Sequence, residues 1–479
     1  MAGYAGRYNL KAFQEKEKPM MKKPMFLISS YTKEDMDMLL EDKKGLHHLM
    51  LKIDQDAEEY FLKWKENYHD SVINNKIKND LFNNSIKKNC ILLVKLLKLF
   101  YYNFCKNLTK KDIAPPVYSI WSTTFQCNAT CFFCGYVKEN KKRFPKPSNE
   151  SALVTLDNII SNVSGIYFSG GEPLIHPKIN EFIQMAFDGG MKPVILNTNG
   201  ILIGPKMIDN EIQSGNKSLS CLDYLIVSVH SIDPNKINKV FRSSNGVYDA
   251  LNQLRYIHIL KRMQKILGFK LMINTVIRED NIDDIYKILE WAKKNDIYAN
   301  FVPEMGREPL FNNKEYMKLA NYILSQKRLG LRIFGDYIML KKLLLGRDFS
   351  CYPSVRVHIQ IDNNGEYSLV FPCIQKPRVY IPIKDIIEGN HILLEINNKT
   401  ININLKNKSW WDIIKQLEKN DIKMACDQGS CYMAQNLSTE LLFNNNRMII
   451  YFFYEGILNF KRLLIRRMTV LDKIYGTSE

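Results

Sequence analysis

The chain lacks the usual features of a secreted or membrane-spanning protein. Its first twenty residues are polar and contain no apolar core of the kind found in signal peptides. No uncharged apolar run reaches the roughly 20 residues needed to cross a bilayer. Only ten cysteines occur in 479 residues, which is unlike the disulfide framework of a small secreted domain. We therefore expect a cytoplasmic protein, with association at the inner membrane surface as a second expectation.

Acidic residues are also fewer than basic residues. The chain has 50 Asp and Glu against 67 Lys and Arg, which gives a formal net charge of +17. This excess favours an acidic partner, such as anionic lipid, an acidic peptide or nucleic acid. No recognition helix or base-stacking motif accompanies the charge, so nucleic acid is not expected. With 46% hydrophobic residues, the chain is long enough to bury two or three cores.

Three of the cysteines stand close together. Cys127, Cys131 and Cys134 have the spacing Cys-x3-Cys-x2-Cys, and the next His and Cys are His176 and Cys221. Thiolates at this spacing can bind three irons of one [4Fe–4S] cube. A structural zinc site would normally have a fourth Cys or His nearby. The motif therefore predicts a cluster whose fourth iron is open to a small molecule, and hence an enzyme.

A second motif follows at residues 166–173. Its short apolar run predicts a buried strand, which breaks at Gly170 and Gly171. Two glycines allow backbone to come close to a ligand. Glu172 then presents a carboxylate that can hold a cationic amine. Together with the three cysteines, this Gly-Gly-Glu-Pro sequence resembles the radical S-adenosylmethionine (SAM) superfamily.

The resemblance implies one-electron chemistry. A reduced [4Fe–4S] cluster would bind SAM and cleave it to methionine and a 5′-deoxyadenosyl radical, which takes hydrogen from an unactivated carbon. The protein would supply orientation and exclude water, with a flavodoxin- or ferredoxin-type electron donor. The resemblance assigns Cys127, Cys131 and Cys134 to the cluster. It assigns Gly170, Gly171 and Glu172 to the SAM amine, Asn199 and Ser228 to the ribose or carboxylate, and Phe133 and Val302 to the adenine.

Each of the last four assignments has a structural alternative. Asn199 and Ser228 could simply cap the ends of strands, and Phe133 and Val302 could belong to the core. No catalytic acid or base is identified. Tyr118, Glu304, Arg307 and His230 are candidates by their place in the barrel, and His230 stands where the family often has Asp.

Strands and helices alternate after the second motif. Strands are predicted at 193–200 and 224–230, which resemble the fourth and fifth strands of the family barrel, and at 270–277 and 298–303. Helices are predicted at 178–189, 246–267 and 282–295. This alternation favours a parallel α/β fold. The family form is a partial barrel of six strand–helix units, with its chemistry at the carboxyl ends of the strands.

Four cysteines near the C-terminus form a separate group. Alternation over 355–361, the turn Asp362–Gly365 and a return strand over 366–371 predict a hairpin, and a helix is predicted at 410–419. These elements are flanked by four cysteines, Cys351, Cys373, Cys426 and Cys431. Together, the elements and cysteines resemble a SPASM/Twitch domain with one auxiliary [4Fe–4S] cluster. The match is imperfect, because Cys373 lies eight residues after Gly365 rather than five and the last pair is Cys-x4-Cys rather than Cys-x2-Cys. Zinc ligation and unligated thiols are the alternatives.

The predicted organisation has four parts: a helical region at 1–115, the partial barrel at 116–345, the auxiliary domain at 346–435 and a basic helical tail at 436–479. Basic amphipathic patterns at 88–105 and 448–474 could lie on an anionic membrane or form solvated core helices. The leading hypothesis is a radical SAM enzyme that matures a peptide by crosslinking, epimerisation or oxidation. The alternatives are modification of a lipid, sugar or other small metabolite, and a non-catalytic iron–sulfur scaffold.

Overall fold

The computed structural model describes residues 43–72, 115–135, 146–209, 218–304, 308–347, 349, 351–352, 354–371, 379–396 and 399–422. Two compact units divide the chain between Leu49 and Met50. Of the first unit, only the beginning of helix α1 (Lys43–Val72) falls within these ranges. This helix lies in the segment that the sequence predicts to be helical.

Six parallel strands form the centre of the second unit. Their neighbours in the sheet follow chain order, from β1 to β6. The strands are β1 (Tyr118–Ser122), β2 (Gly165–Ser169), β3 (Val194–Thr198), β4 (Tyr224–Ser228), β5 (Lys270–Ile277) and β6 (Tyr298–Pro303). The helices that follow or connect them are α2 (Asn149–Asn162), α3 (Ile179–Asp188), α4 (Pro234–Phe241), α5 (Val247–Leu267), α6 (Ile282–Asn295), α7 (Lys314–Arg328) and α8 (Tyr337–Leu344). The predicted α/β partial barrel is confirmed.

The order of two strands corrects the sequence prediction. Among the described residues, β1 and β2 are the strands that precede β3 and β4, which are therefore the third and fourth strands of the sheet and not the fourth and fifth. β5 and β6 have the predicted bounds, as does α6.

A C-terminal hairpin extends this sheet instead of standing apart from it. Its strands are β7 (Arg356–Ile361) and β8 (Tyr367–Phe371), followed by β9 (Val379–Pro382). β7 pairs in parallel with β1, so the sheet order in the described residues is β6-β5-β4-β3-β2-β1-β7-β8-β9. Asp362 shapes the predicted turn, since its Oδ1 accepts from the backbone N–H groups of Asn364 and Glu366 at 2.9 and 3.0 Å. The chain continues through α9 (Ile383–Glu388), the hairpin β10 (His391–Ile396) and β11 (Lys399–Asn404), and α10 (Trp410–Lys419).

Helices cover the outer face of the sheet, and a cluster of aromatic rings packs on this face around Trp121. Trp121 on β1 is fully buried. Its ring lies 5.9 Å from that of Phe168 on β2, 5.1 Å from that of Phe182 on α3 and 5.4 Å from that of Tyr367 on β8. Burial of such large rings is a major stabilising term in a core. This cluster fixes β8 against the first two strands of the barrel.

The inner face of the sheet is more open. Along β3 and most of β7 half-buried residues alternate with buried ones, as expected when one face packs on helices and the other is less covered. A small apolar cluster of Ile120, Tyr167, Ile226 and Met272 lies on this inner face, with Tyr118 and Tyr224 packed against it. The first residues of the strands therefore form the floor of the barrel.

Helix α1 is anchored to α5 by polar contacts. Asp54 contacts His258 at 2.7 Å and the guanidinium of Arg262 at 2.9 Å. The neighbouring Met50 packs against a buried cluster that Cys127 and Cys131 also contact. Residues from the N-terminal helix thus approach the loop that carries the cysteine motif.

Candidate active site

The three-cysteine motif lies in the loop that follows β1, at the carboxyl end of the sheet. Cys127, Cys131 and Cys134 are all half-buried. The N–H of Cys134 donates to the carbonyl of Cys131 at 3.1 Å, which closes a tight turn between these two residues. Directly before Cys131, the N–H of Thr130 donates to the carbonyl of Phe241 at 2.7 Å and anchors the loop to the end of α4. One short loop therefore presents all three thiols.

The glycines after β2 pack directly against the beginning of this loop. The N–H of Gly171 donates to Thr124 O at 2.7 Å, and the N–H of Glu172 donates to Gln126 O at 2.7 Å. A Cβ at Gly170 would lie 2.3 Å from Thr124 O, and one at Gly171 would lie 2.2 Å from Gln126 O. The sequence suggested that the glycines admit a ligand. In the structure they admit the backbone of the cysteine loop, a contact that no larger residue could make.

The carboxylate of Glu172 is fully buried and is held by three donors. Its Oε1 accepts from the N–H of Leu174 at 3.0 Å and from the hydroxyl of Thr198 at 2.7 Å. Its Oε2 accepts from the N–H of Asn199 at 2.7 Å. Burial raises the pKa of Glu172 to about 7, although these hydrogen bonds favour the ionised form. The acid is therefore fixed in position, and its charge is sensitive to a nearby cation.

Asn199 joins the carboxylate to the cysteine loop. Its side-chain amide donates to Asn128 Oδ1 at 2.7 Å and reaches Cys127 Sγ at 3.7 Å. Gln253 on α5 donates to the carbonyls of Asn199 and of Ser228, the latter at 2.7 Å. The ends of β3 and β4 are thereby held together beside the cysteines. The structure thus brings predicted residues from four separate segments to one edge of the sheet.

The thiols form a donor set that fits a [4Fe–4S] cube. Burial raises the pKa of Cys127 to about 11 and that of Cys131 to about 12, so iron must displace their protons on binding. Within the described residues, no three His, Cys, Asp or Glu side chains converge on a single metal ion. In a cube each thiolate binds its own iron, so a wider spacing of the sulfurs is expected.

Arg278, at the end of β5, was not anticipated from the sequence. Its buried guanidinium lies 5.1 Å from the ring centre of Phe132 and 4.8 Å from that of Phe133. Its Nε donates to Asp280 at 2.8 Å, and its Nη1 has no hydrogen-bond partner. The positive charge also favours the thiolate of Cys131. The only sequence signal was its place at the carboxyl end of a barrel strand.

His230 is buried beside the same aromatic residues. Its ring meets those of Phe133 and Phe241 edge to face, at 5.1 and 5.6 Å. Burial, with the Arg278 charge as a smaller cause, lowers the pKa of His230 to about 3. The imidazole is therefore neutral at physiological pH and serves as part of an aromatic layer next to the cysteine loop.

The other predicted residues lie around this edge or on the floor. Ser228 ends β4, Val302 lies near the end of β6 and Glu304 directly follows it. Tyr118 begins β1 and so lies at the opposite end of the barrel.

Several predicted residues and segments fall outside the described residues. They are Arg307, Cys373, Cys426, Cys431 and the basic segments 88–105 and 448–474. Of the four auxiliary cysteines only Cys351 is described, and it is buried. Among the described helices, none is long and apolar enough to span a membrane.

Residues 121–292 match the sequence model of the family described as the radical SAM superfamily. The match begins in β1, contains both motifs and ends in α6. The chain contains a radical SAM domain. The cofactors of this domain are a [4Fe–4S] cluster and SAM. The assignment of individual residues to these cofactors stays a prediction.

Known proteins resemble this chain over part of their length. The probable GTP 3',8-cyclase of Sulfolobus acidocaldarius is 26% identical over 174 residues, which is 36% of this chain and 51% of that protein. The PqqA peptide cyclase of Granulibacter bethesdensis is 22% identical over 237 residues, 47% of this chain and 60% of that protein. The structure of Streptococcus suis SuiB bound to precursor peptide SuiA matches with a TM-score of 0.41 at 18% identity, over 56% of this chain and 62% of that one.

This chain spans about half the length of the curated relatives that it matches. Both relatives are named as cyclases, and the prediction of an enzyme is confirmed. The two names refer to different substrates, a nucleotide in one case and a peptide in the other.

Proposed function

We propose that this protein is a radical SAM enzyme that takes a hydrogen atom from an unactivated carbon of a peptide. When bound, the cluster supplies the electron that cleaves SAM to methionine and a 5′-deoxyadenosyl radical. The protein's part is to hold the cluster, orient SAM and exclude water. The peptide product would carry a crosslink, an epimerised residue or an oxidised residue.

The observation that carries the proposal is the connection between Glu172 and the cysteine loop. Asn199 bonds to the Glu172 carboxylate through its N–H and to the loop through its side-chain amide. A cationic amine beside Glu172 would therefore lie close to a ligand placed at the cysteines. By resemblance SAM would need this juxtaposition, because its methionine end would lie at the open iron with its amine beside Glu172. We also propose the SAM contacts that the resemblance assigns to five further residues, namely Gly170, Gly171, Ser228, Phe133 and Val302.

A peptide suits the inner face of the barrel. Carboxamide side chains lie on three of its strands, with Asn197 on β3, Asn274 on β5 and Asn300 on β6. Between the adjacent strands β5 and β6, Asn300 Nδ2 donates to Asn274 Oδ1 at 2.8 Å. The Oδ1 atoms of Asn197 and Asn300 are buried and have no hydrogen-bond partner. Buried acceptors of this kind are normally paired. The N–H groups of a bound peptide would supply the missing donors, and the similarity to a PqqA peptide cyclase agrees with this substrate class.

We further propose that Cys351, Cys373, Cys426 and Cys431 bind an auxiliary [4Fe–4S] cluster. Cys351 is buried just before β7, which is the hairpin position that a Twitch-type cluster uses by resemblance. Replacing all four cysteines with alanine should lower the iron content by about four per chain. An unchanged iron content, with or without bound zinc, would contradict this assignment. The expected electron donor is a flavodoxin or ferredoxin, and membrane contact would involve the basic segments.

The test of the proposed function uses anaerobically reconstituted protein with SAM and dithionite. Formation of 5′-deoxyadenosine is expected in the wild type and not in a variant with Cys127, Cys131 and Cys134 replaced by alanine. Deuterated peptides should then transfer deuterium to 5′-deoxyadenosine. Transfer from deuterated lipids or sugars, and not from peptides, would identify a small-metabolite enzyme instead. Absence of 5′-deoxyadenosine under all conditions would favour a non-catalytic scaffold.

A further inference from the structure

The strands of the barrel carry an unusual charge pattern. The seven strands β1 to β7 contain Lys270 and Arg356 but no Asp or Glu. Both cations are almost completely buried, with relative exposures of 6% and 3%. Charged side chains are rarely buried unless a partner compensates them. Each of the two therefore calls for a specific partner.

Lys270 has partners within the protein. Its ammonium lies 5.4 Å from the ring centre of Tyr224 and 5.8 Å from that of Tyr298. Cation–π contacts of this kind partly replace the lost hydration. Both tyrosines also pack against the inner apolar cluster of the barrel. Lys270 thus contributes positive charge to the floor of the barrel.

Arg356 differs from Lys270 in this respect. Its Nε and Nη1 are buried and have no hydrogen-bond partner. In the described part of the chain, no carboxylate forms an ion pair with it. Leaving a guanidinium both dehydrated and unpaired is costly. A ligand that supplies the missing acceptors would account for its retention.

The register of the strands places Arg356 inside the barrel. β7 pairs in parallel with β1, with Arg356 opposite Tyr118 and His358 opposite Ile120. Directly opposed residues in a sheet share a face. Tyr118 and Ile120 belong to the inner apolar cluster, so Arg356 shares the inner face. His358 and Gln360 follow it on the same face toward the carboxyl end of β7.

We propose that Arg356 binds an oxyanion of the substrate, at the floor of the barrel. The inference rests on the proposed function and narrows its substrate class to molecules with a carboxylate or phosphate. Arg356 lies four residues before Gln360, which corresponds to about 13 Å along the strand. The anionic group would therefore be held far below the carboxyl edge of the sheet, where the cysteine loop lies. An acidic side chain or the terminal carboxylate of a peptide has this chemistry, and so does the phosphate of a nucleotide.

The test is thermal unfolding of the reconstituted holoprotein with glutarate or inorganic phosphate, at an ionic strength kept constant with sodium chloride. Anion binding should raise the Tm of the wild type by roughly 2 °C at ten times the dissociation constant. Arg356→Met should lose this rise, and Arg356→Lys should retain part of it. Arg328→Met, which removes an exposed arginine on α7, is the matched control and should respond like the wild type.

The two probes distinguish the sources of the anion. A response to glutarate indicates a carboxylate substrate such as an acidic peptide, and a response to phosphate indicates a nucleotide. A wild type that responds to neither probe would overturn the proposal without any variant. Equal responses of the wild type and Arg356→Met would also overturn it. The measurement does not involve SAM cleavage, so its failure and that of the proposed function are distinguishable.

Discussion

The backbone N–H of Asn199 donates to the buried carboxylate of Glu172 at 2.7 Å. The two residues follow different strands, β3 and β2, and lie 27 positions apart. The side chain of Asn199 then contacts the cysteine loop through Asn128 and Cys127. The two motifs are therefore parts of one hydrogen-bonded unit, and a change in either is expected to disturb the other.

A methyl group at Gly171 should disrupt the cysteine loop. The added Cβ would lie 2.2 Å from Gln126 O and 2.6 Å from Phe125 O, so the backbone before Cys127 must move. We expect Gly171→Ala to retain less than half of the wild-type iron after reconstitution. Gly135→Ala is the matched control, because nothing lies within 4 Å of a Cβ at that position. Equal iron contents in the two variants would contradict the close contact.

Loss of the Thr198 hydroxyl should destabilise the Glu172 site. This hydroxyl donates to Glu172 Oε1 at 2.7 Å and accepts from the N–H of Gly200 at 3.0 Å. Thr198→Val keeps the shape but removes one of the two donors to Glu172 Oε1 and the acceptor of the Gly200 N–H. This loss should lower the free energy of unfolding by about 1–3 kcal/mol. Thr198→Ser retains the hydroxyl and should remain close to the wild type. Anaerobic urea unfolding measures the difference, and a Val variant as stable as the Ser variant would refute the role of this bond.

The affinity for SAM should depend on pH through Glu172. Its raised pKa of about 7 means that the carboxyl gains a proton as the pH falls through that value. A neutral carboxyl attracts an ammonium group far less, so SAM should bind about tenfold more weakly at pH 6 than at pH 8. Burial lowers the pKa of His176 to about 4 and that of His230 to about 3, so neither titrates in this range.

Calorimetric titration of the holoprotein with SAM at the two pH values tests this expectation. Glu172→Gln cannot titrate, and its weaker affinity should be the same at both pH values. A wild-type affinity that does not change between pH 6 and pH 8 would show that Glu172 does not hold the amine as a carboxylate.

Removal of the Arg278 charge should make the cluster harder to reduce. The guanidinium lies over Phe132 and Phe133, within the cysteine loop, and favours the thiolate of Cys131. A nearby positive charge stabilises the more negative, reduced cluster. Arg278→Met should therefore shift the midpoint potential downward by on the order of tens of millivolts. Arg278→Lys keeps the charge and should shift it less. Spectroelectrochemical titration would contradict this role if all three potentials coincide.

Local sequence patterns were sufficient to predict much of the barrel. The strands β5 and β6 and the helices α6 and α10 have the predicted bounds, because apolar periodicity and flanking turn residues mark them clearly. The pairing of β7 with β1 could not be predicted in this way. It joins residues more than two hundred positions apart, and no local signal encodes a contact at that distance.

The site shows the same division between local and distant information. The spacing of the cysteines and the Gly-Gly-Glu-Pro sequence identified the residues that meet at the edge of the sheet. The sequence did not reveal that Gly170 and Gly171 receive the backbone of residues 124–126. Nor did it indicate Thr198 as a donor to Glu172, or Arg278 as the cation over Phe133. These roles depend on strands that are neighbours in the sheet but are separated along the chain.

The central claim is that Cys127, Cys131 and Cys134 hold an open [4Fe–4S] cluster that binds SAM. EPR of the dithionite-reduced, reconstituted protein with and without SAM tests it most directly, with iron counted in the same samples. We predict that SAM changes the signal of the wild type. The variant with all three cysteines replaced by alanine should contain about four fewer irons and show no such change. A wild-type signal indifferent to SAM, or an iron content equal in both proteins, would contradict the claim.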